Sequence, residues 1–165
     1  MQSNEIRVDI GCGLKKPEGF IGIDVRDFPG VDYVMNVGKE KLPFKDNSVD
    51  VITSIHVFEH FYPEELFFCI EECFRVLKPT GFLHIEVPKA GTRAYYIHPD
   101  HKLQFTEDTF GFFQVPGNEE HRDPHGYLTG FWHIQMLLND NPEAISVNLF
   151  PNKQGGRYPF VKVLH

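Results

Sequence analysis

The sequence predicts one α/β domain built on a mostly parallel β-sheet, with an antiparallel C-terminal hairpin and a reduced number of helices on one face. Short apolar runs that end in Gly or Asp recur through the first third of the chain. A single strongly amphipathic helix follows them, and two strand patterns come near the C-terminal end. With 165 residues, the chain is long enough to bury one core. We therefore treat residues 1–165 as a single domain.

Apolar runs with β-branched residues predict the strands of this sheet. The five runs that read as buried parallel strands are 6–10, 20–24, 32–36, 49–55 and 82–87. The segment 132–138 alternates with period two and predicts a strand, 144–150 predicts its partner across a turn, and 158–164 predicts a further edge strand.

One helix is predicted strongly and one weakly. Pro63 begins the first, two glutamates occupy its first turn, and the segment 78–81 ends it. Its apolar residues recur at helical spacing: Leu66, Phe67, Ile70, Phe74 and Leu77. Thr106 is placed to cap a shorter helix that runs to Gln114. This helix lies within 89–129, an irregular segment rich in aromatic residues and His that we interpret as an insertion or lid.

Composition excludes several classes of partner. The formal net charge is -7, from 16 basic and 23 acidic residues, and no basic run is present. Electrostatic docking onto a nucleic acid or an anionic membrane is therefore not expected. The three cysteines fit a reducing compartment, no apolar stretch has the roughly 20 residues that span a bilayer, and no signal peptide is evident. We expect a cytoplasmic protein that acts on a small molecule.

The turn 9–13 follows the first strand and has the residue types of a nucleotide-binding corner. Gly11 and Gly13 would let the backbone approach a ligand, and Asp9 would bind a polar group. Asp24 ends the next strand, where an acid commonly binds a ribose diol. A glycine corner with a purely structural role is the alternative interpretation.

Several motifs in order resemble the class I S-adenosylmethionine-dependent methyltransferases, most closely the small type 11 branch. The motifs are the turn 9–13, Asp24, the loop 42–50, the segment 55–60 and the segment 75–81, and 98–106 is also similar to a segment of that branch. The resemblance covers roughly residues 5–115. It implies a Rossmann-like methyltransferase fold, a seven-stranded sheet whose last strand is antiparallel. S-adenosylmethionine would bind at the carboxyl ends of the first strands.

The resemblance also implies roles for individual residues. The turn residues Asp9, Gly11, Cys12 and Gly13 would surround the methionine part of the cofactor, Asp24 the ribose, Asn36 and Leu42 the adenine, and His56 the methionine end. Asn36 departs from the acid that the family often carries there. A hydroxyl acceptor would need a base, and the candidates are His60, His98 and His101.

The chain departs from the family pattern after the first strand. Lys15 stands where the third glycine is usual, and the segments 14–20 and 27–30 leave no room for helices. One face of a parallel sheet would then lack its cover. We expect either the aromatic segment or a second copy of the protein, as a homodimer, to cover that face. The aromatic residues are Tyr95, Tyr96, Phe105, Phe110, Phe112, Phe113, Phe131 and Trp132.

Methyl transfer from S-adenosylmethionine to a small-molecule acceptor is the predicted function, with saccharides suggested by family analogy. A methyltransferase-like binding or scaffold protein with weak or no turnover is the alternative. A nicotinamide oxidoreductase is disfavoured because Lys16 stands where the last glycine of Gly-x-Gly-x-x-Gly belongs. We expect no metal: the pairs His98 with His101 and His121 with His125 have usable spacings, but no firm helix carries them and no cysteine accompanies them.

Overall fold

A computed structural model describes residues 5–114 and 128–153 of the chain. The strands are β1 Arg7–Ile10, β2 Ile21–Asp24, β3 Tyr33–Val34, β4 Val49–Ile55, β5 Leu77–Pro88, β6 Trp132–Leu137 and β7 Ala144–Pro151. The helices are α1 Pro63–Val76, α2 Arg93–Tyr96 and two 3-10 helices at Phe58–His60 and Glu107–Phe113. None of these helices is long and apolar enough to cross a membrane.

The strands form one seven-stranded sheet in the order β3-β2-β1-β4-β5-β7-β6. The pairs among β1 to β5 are parallel, and β7 runs antiparallel to both β5 and β6. This topology confirms the predicted fold class, with its antiparallel C-terminal hairpin and few helices.

The elements predicted within the described residues are present, with different lengths in three places. β3 has only two residues, and β5 begins at Leu77, which pairs with Val49 before the register shifts. Thr106 does cap a helix, but that helix is a 3-10 helix that ends at Phe113. The predicted edge strand 158–164 lies outside the described residues.

The sheet has one apolar face, and α1 packs on it. In β5, Leu83, Ile85 and Val87 are fully buried, while the intervening side chains are partly exposed, as the period of two requires. The stripe on α1 covers this face with Leu66, Cys69, Ile70, Cys73 and Val76. Burial of this apolar surface is the main stabilising contribution to the fold.

The opposite face of the sheet carries polar side chains that hydrogen-bond across neighbouring strands. Thr53 Oγ1 donates to Asp9 Oδ1 at 2.8 Å, and Ser146 Oγ donates to Glu86 Oε2 at 3.0 Å. A ring nitrogen of His84 lies 2.9 Å from Asn148 Oδ1. These bonds satisfy polar groups that no described helix covers.

Five of the described aromatic residues lie in the apolar core or pack against it, and not on the polar face: Phe105, Phe110, Phe112, Phe113 and Trp132. Phe67 of α1 contacts Phe112 with ring centroids 5.6 Å apart, and Phe74 contacts Trp132 at 5.3 Å. For these five residues the expectation that the aromatic segment replaces the missing helices is wrong, because their rings join the existing core. Cover by a second copy of the chain stays a prediction.

β1 reaches β2 without a helix, as predicted, and hydrogen bonds hold the connection instead. The N–H groups of Gly11 and Cys12 both donate to the carbonyl of Ile23, at 2.7 and 3.2 Å. Asp32 Oδ2 accepts from the Gly22 N–H at 2.7 Å and from Lys16 Nζ at 2.6 Å. No helix follows β2 either. The turn 9–13 is therefore held in place by hydrogen bonds to β2, and no helix N-terminus supports it.

Candidate functional site

A cleft of about 470 Å³ opens at the carboxyl ends of the parallel strands. It lies where the strand order reverses between β1 and β4, the position at which open α/β sheets bind ligands. Its volume falls within the range of roughly 300–1,000 Å³ that is typical of small-molecule sites. The lining residues come from the ends of β1 to β4, from the chain before and at the start of α1, and from 100–102.

Gly11 lines the cleft, in close contact with Val57, the second residue after β4. Its φ is +74°, in the left-handed region, and a Cβ added there would meet Val57 Cγ2 at 2.2 Å. Glycine is therefore required at this position. Its N–H donates to Ile23, so its close approach to a ligand is made by the Cα and not by the amide.

Asp24 lines the cleft and is only 7% exposed. Its Oδ2 accepts from the Gly13 N–H at 3.0 Å, and its Oδ1 accepts from the Arg26 N–H at 2.9 Å. Two backbone donors thus orient the carboxylate. Each oxygen retains acceptor capacity for a ligand, which suits a vicinal diol.

Of the two residues expected near the adenine, the structure brings one to the cleft. Asn36 lines the cleft, and its Oδ1 accepts from the Gly38 N–H at 3.0 Å. Leu42 is 3% exposed in the core, and its N–H donates to Glu72, so it is not a lining residue. Met35 and Val37 supply the apolar lining beside Asn36 instead.

Asp9, Cys12 and Gly13 are not among the lining residues. The Asp9 carboxylate bonds Thr53 on the polar face of the sheet. Burial raises the pKa of Asp9, the Thr53 hydrogen bond opposes this, and the nearby charge of Asp24 adds to it. Cys12 is buried with its Sγ directed at Gly22, where an added Cβ would lie 2.7 Å from it. These three residues therefore stabilise the turn without lining the cleft.

His56 follows β4 and lines the cleft with a strained backbone. Its φ is 56°, which costs a non-glycine residue stability and is common at functional sites. Its ring lies between two carboxylates, 3.4 Å from Glu59 Oε1 and 3.6 Å from Glu86 Oε1. The hydrogen bond with Glu59 raises the pKa of His56 above its ordinary value, although burial opposes the shift.

The three candidate bases are neighbours, but only His60 lines the cleft. Its Nδ1 lies 3.0 Å from Asp100 Oδ2, and its ring lies 4.9 Å from that of His101. His101 is buried, with Nδ1 2.7 Å from the carbonyl oxygen of Tyr95. His98 is exposed and lies beside His101, with ring centroids 5.2 Å apart.

Several lining residues were not singled out from the sequence. They are Ile10, Ile23, Val25, Arg26, Met35, Val37, Val57, Phe61, Tyr62, Glu65, Asp100 and Lys102. Glu59 was also missed: it is 1% exposed, behind His56 and His60. An acid followed by His, within five residues of the end of a buried strand, was the available signal, because a strand end places such residues near the ligand edge of the sheet.

Comparisons with known proteins agree with this geometry. A family model described as a methyltransferase domain matches residues 20–85. A probable S-adenosylmethionine-dependent methyltransferase of Mycolicibacterium smegmatis is 30% identical, over 79% of this chain and 57% of its own length. One from Mycobacterium tuberculosis is 29% identical, over 61% of this chain and 43% of its own length. The chain thus spans about half the length of these relatives.

Solved structures share the fold at low sequence identity. A SAM-dependent methyltransferase from Archaeoglobus fulgidus superimposes with a TM-score of 0.63 at 20% identity, covering 88% of this chain and 85% of that one. Phosphoethanolamine N-methyltransferase 1 of Haemonchus contortus gives a TM-score of 0.62 at 10% identity, covering 96% of this chain and 41% of its own. In its fold, its ordered motifs and these relatives, the chain is similar to the class I S-adenosylmethionine-dependent methyltransferases.

Proposed function

We propose that this protein transfers a methyl group from S-adenosylmethionine to a small-molecule acceptor. The observation that carries the proposal is the cleft at the strand-order reversal, where Gly11, Asp24 and Asn36 come together. The matching family model and the relatives named as probable S-adenosylmethionine-dependent methyltransferases support the predicted cofactor.

The lining residues fit the parts of that cofactor. The Asp24 carboxylate, held by two backbone N–H groups, offers two acceptor oxygens to a ribose diol. Met35 and Val37 provide apolar contacts for the adenine ring, beside the amide of Asn36. Gly11 lines the cleft where the methionine part would lie, and its missing Cβ gives room to the side chain of Val57.

The chain's own contribution to the reaction is mainly positional. The bound cofactor supplies an electrophilic methyl group on a sulfonium. Residues that hold the acceptor in line with that group, in a site shielded from water, contribute most of the rate. His60, at the cleft and oriented by Asp100, is our choice among the candidate bases to accept a proton from a hydroxyl acceptor.

A cofactor-binding or scaffold protein with weak or no turnover is the second candidate. The observation that favours it is the hydrogen bonding of the glycine turn: the N–H groups of Gly11, Cys12 and Gly13 all donate to β2 residues. The donors that a glycine corner can offer to a ligand are therefore occupied, and no helix N-terminus follows them. Tight binding of the cofactor without turnover of any acceptor would favour this candidate.

The finer sequence predictions remain part of the proposal. The acceptor is a small molecule, with saccharides as one candidate class, and no nucleic acid or membrane partner is proposed. The segment 89–129 is an insertion or a lid, the protein works in the cytoplasm, and a homodimer covers the polar face of the sheet. The net charge of -7 supports the absence of polyanionic partners.

Calorimetric titration with S-adenosylmethionine and S-adenosylhomocysteine tests cofactor binding directly. Asp24→Ala should weaken binding about 10- to 150-fold, since hydrogen bonds to a charged group contribute roughly 1.5–3 kcal/mol. Asp32→Ala is the matched control, because Asp32 also accepts a backbone N–H but lies outside the cleft. No heat at millimolar ligand would exclude the proposal, and unchanged affinity in Asp24→Ala would exclude the assigned ribose site.

A further inference from the structure

The side chains of Glu59, His60 and His101 form a cluster at the inner edge of the cleft. One carboxylate oxygen and one ring nitrogen from each histidine all lie within 4.8 Å of one another. Glu59 is 1% exposed, and His101 has only 4% of its side chain exposed. The sequence did not group these residues, because 59–60 and 101 meet only in the folded chain.

One oxygen of the buried Glu59 carboxylate interacts with His56, and within the described part of the chain the other lacks the donor that burial normally requires. Its Oε2 is buried and, among the described residues, has no hydrogen-bond partner. The ion-pair partners that the described residues offer to Oε1 are imidazole rings, His56 at 3.4 Å and His101 at 3.9 Å. A buried carboxylate without a full set of partners is costly unless a cation neutralises it.

The two cluster histidines are each held through a second ring contact. His101 Nδ1 lies 2.7 Å from the Tyr95 carbonyl oxygen, which can only accept, so Nδ1 carries the proton and donates. In the neutral ring the Nε2 lone pair then lies 3.9 Å from Glu59 Oε1, too far for a direct hydrogen bond. His60 Nδ1 is likewise paired with Asp100 Oδ2 at 3.0 Å. Histidines that bind metals characteristically donate their other N–H to a carbonyl or carboxylate in this way.

Backbone hydrogen bonds hold the two halves of the cluster together. The N–H groups of Lys102 and Leu103 donate to the Glu59 carbonyl at 2.7 and 3.1 Å. Lys102 Nζ also donates to the His60 carbonyl oxygen. The cluster is thus a built site whose ligand atoms need only small side-chain movements to converge.

We propose that Glu59, His60 and His101 bind a divalent transition-metal ion, with zinc as the best match. Two imidazoles and one carboxylate suit zinc or iron(II), whereas magnesium and calcium prefer all-oxygen sites. This assignment departs from the sequence-based expectation of no metal. The ion lies beside the cleft, since His60 and Asp100 line it. Resting on the proposed function, we assign the ion to binding an oxygen of the methyl acceptor. With the ion bound, His60 is one of its ligands, and the ion rather than His60 would activate a hydroxyl acceptor.

Metal binding is measured on tag-free, chelator-treated protein, by calorimetry with zinc chloride and by visible absorption with cobalt(II). We expect one ion per chain, and no displacement by millimolar magnesium. Glu59→Gln keeps the side-chain shape and should lower zinc affinity about 100-fold or more, and Asp100→Asn about 10-fold through the orientation of His60. His98→Ala, which removes an exposed imidazole next to His101, and His84→Gln, on the polar face of the sheet, should leave affinity unchanged.

Two results would overturn the site. One is the absence of zinc and cobalt binding at 100 micromolar metal. The other is equal affinity in Glu59→Gln and His98→Ala when tryptophan fluorescence shows both variants folded. Titration of the metal-free protein with S-adenosylhomocysteine separates this proposal from the previous one: cofactor binding without metal binding excludes only the metal site, and metal binding without cofactor binding excludes only the proposed function.

Discussion

Replacement of Gly11 by alanine tests the geometry on which the cleft depends. The added Cβ would lie 2.2 Å from Val57 Cγ2, a distance at which one of the two groups must move. Val57 is β-branched and packs partly buried against the core, so its rotation is restricted. The left-handed φ of +74° adds a second cost.

The expected loss of stability is the sum of these two terms. A left-handed alanine costs about 1–2 kcal/mol, and overpacking costs about 1–3 kcal/mol, so Gly11→Ala should lose about 2–5 kcal/mol. Gly13→Ala is the matched control, because Gly13 also has positive φ, at +52°, but an added Cβ meets nothing within 4 Å. Gly13→Ala should therefore lose only about 1–2 kcal/mol of stability, the cost of an alanine in the left-handed region.

Urea unfolding, followed by the fluorescence of the single tryptophan, measures both variants. Trp132 is 0% exposed in the native protein, so its emission will shift to longer wavelength on unfolding. Adding Val57→Ala to Gly11→Ala should recover part of the steric loss. Equal losses in the two glycine variants, or no recovery in the double variant, would show that the packing of Gly11 on Val57 is wrongly described.

Two further predictions concern the α1 side of the core. Glu72 accepts hydrogen bonds from the Leu42 N–H and from two nitrogens of Arg75. Glu72→Gln should therefore lower the free energy of unfolding by about 1–3 kcal/mol. We expect the lower end of this range, because Arg75 is partly exposed and solvent weakens its interaction with Glu72. Burial raises the pKa of Glu72, but the bonds from Arg75 and Leu42 outweigh it and leave the pKa below 4.5. The stabilisation by Glu72 is therefore present above pH 4.5 and is lost as the pH falls through the pKa of Glu72 in the folded protein. Urea unfolding from pH 7 to pH 3 should show that the free energy of unfolding falls less steeply in Glu72→Gln than in the unchanged protein. An equal fall in both proteins would contradict this prediction. The three cysteines are buried, and the contact with Cys69, together with burial, raises the pKa of Cys73 well above its usual value. A thiol reagent should therefore react only as fast as the protein opens, and a thiol that reacts within seconds in native buffer would contradict the packing.

Much of the fold could be predicted because it depends on local patterns. Apolar runs of strand length and one helical stripe determined the parallel sheet and α1, and the short segments after β1 and β2 left no room for helices. Gly11 and Asp24 were placed in the cleft by their positions at strand ends, since the ends of parallel strands meet at one edge of the sheet.

The tertiary structure alone decided which face and which neighbours each residue has. Side chains alternate between the two faces of a strand, so the sequence places Asp9 on the face opposite its neighbours. Only the assembled sheet shows that this is the polar face, where Asp9 lies beside Thr53. Leu42 lies in the core, and its N–H donates to Glu72 of α1, a residue distant in sequence. Glu59 and His101 come together through hydrogen bonds between distant segments. Such contacts depend on packing of the whole chain, whereas strand and helix patterns are set by residues close in sequence. Local patterns therefore predicted the sheet and the position of the cleft, but the side-chain chemistry around the cleft depends on how the whole chain packs.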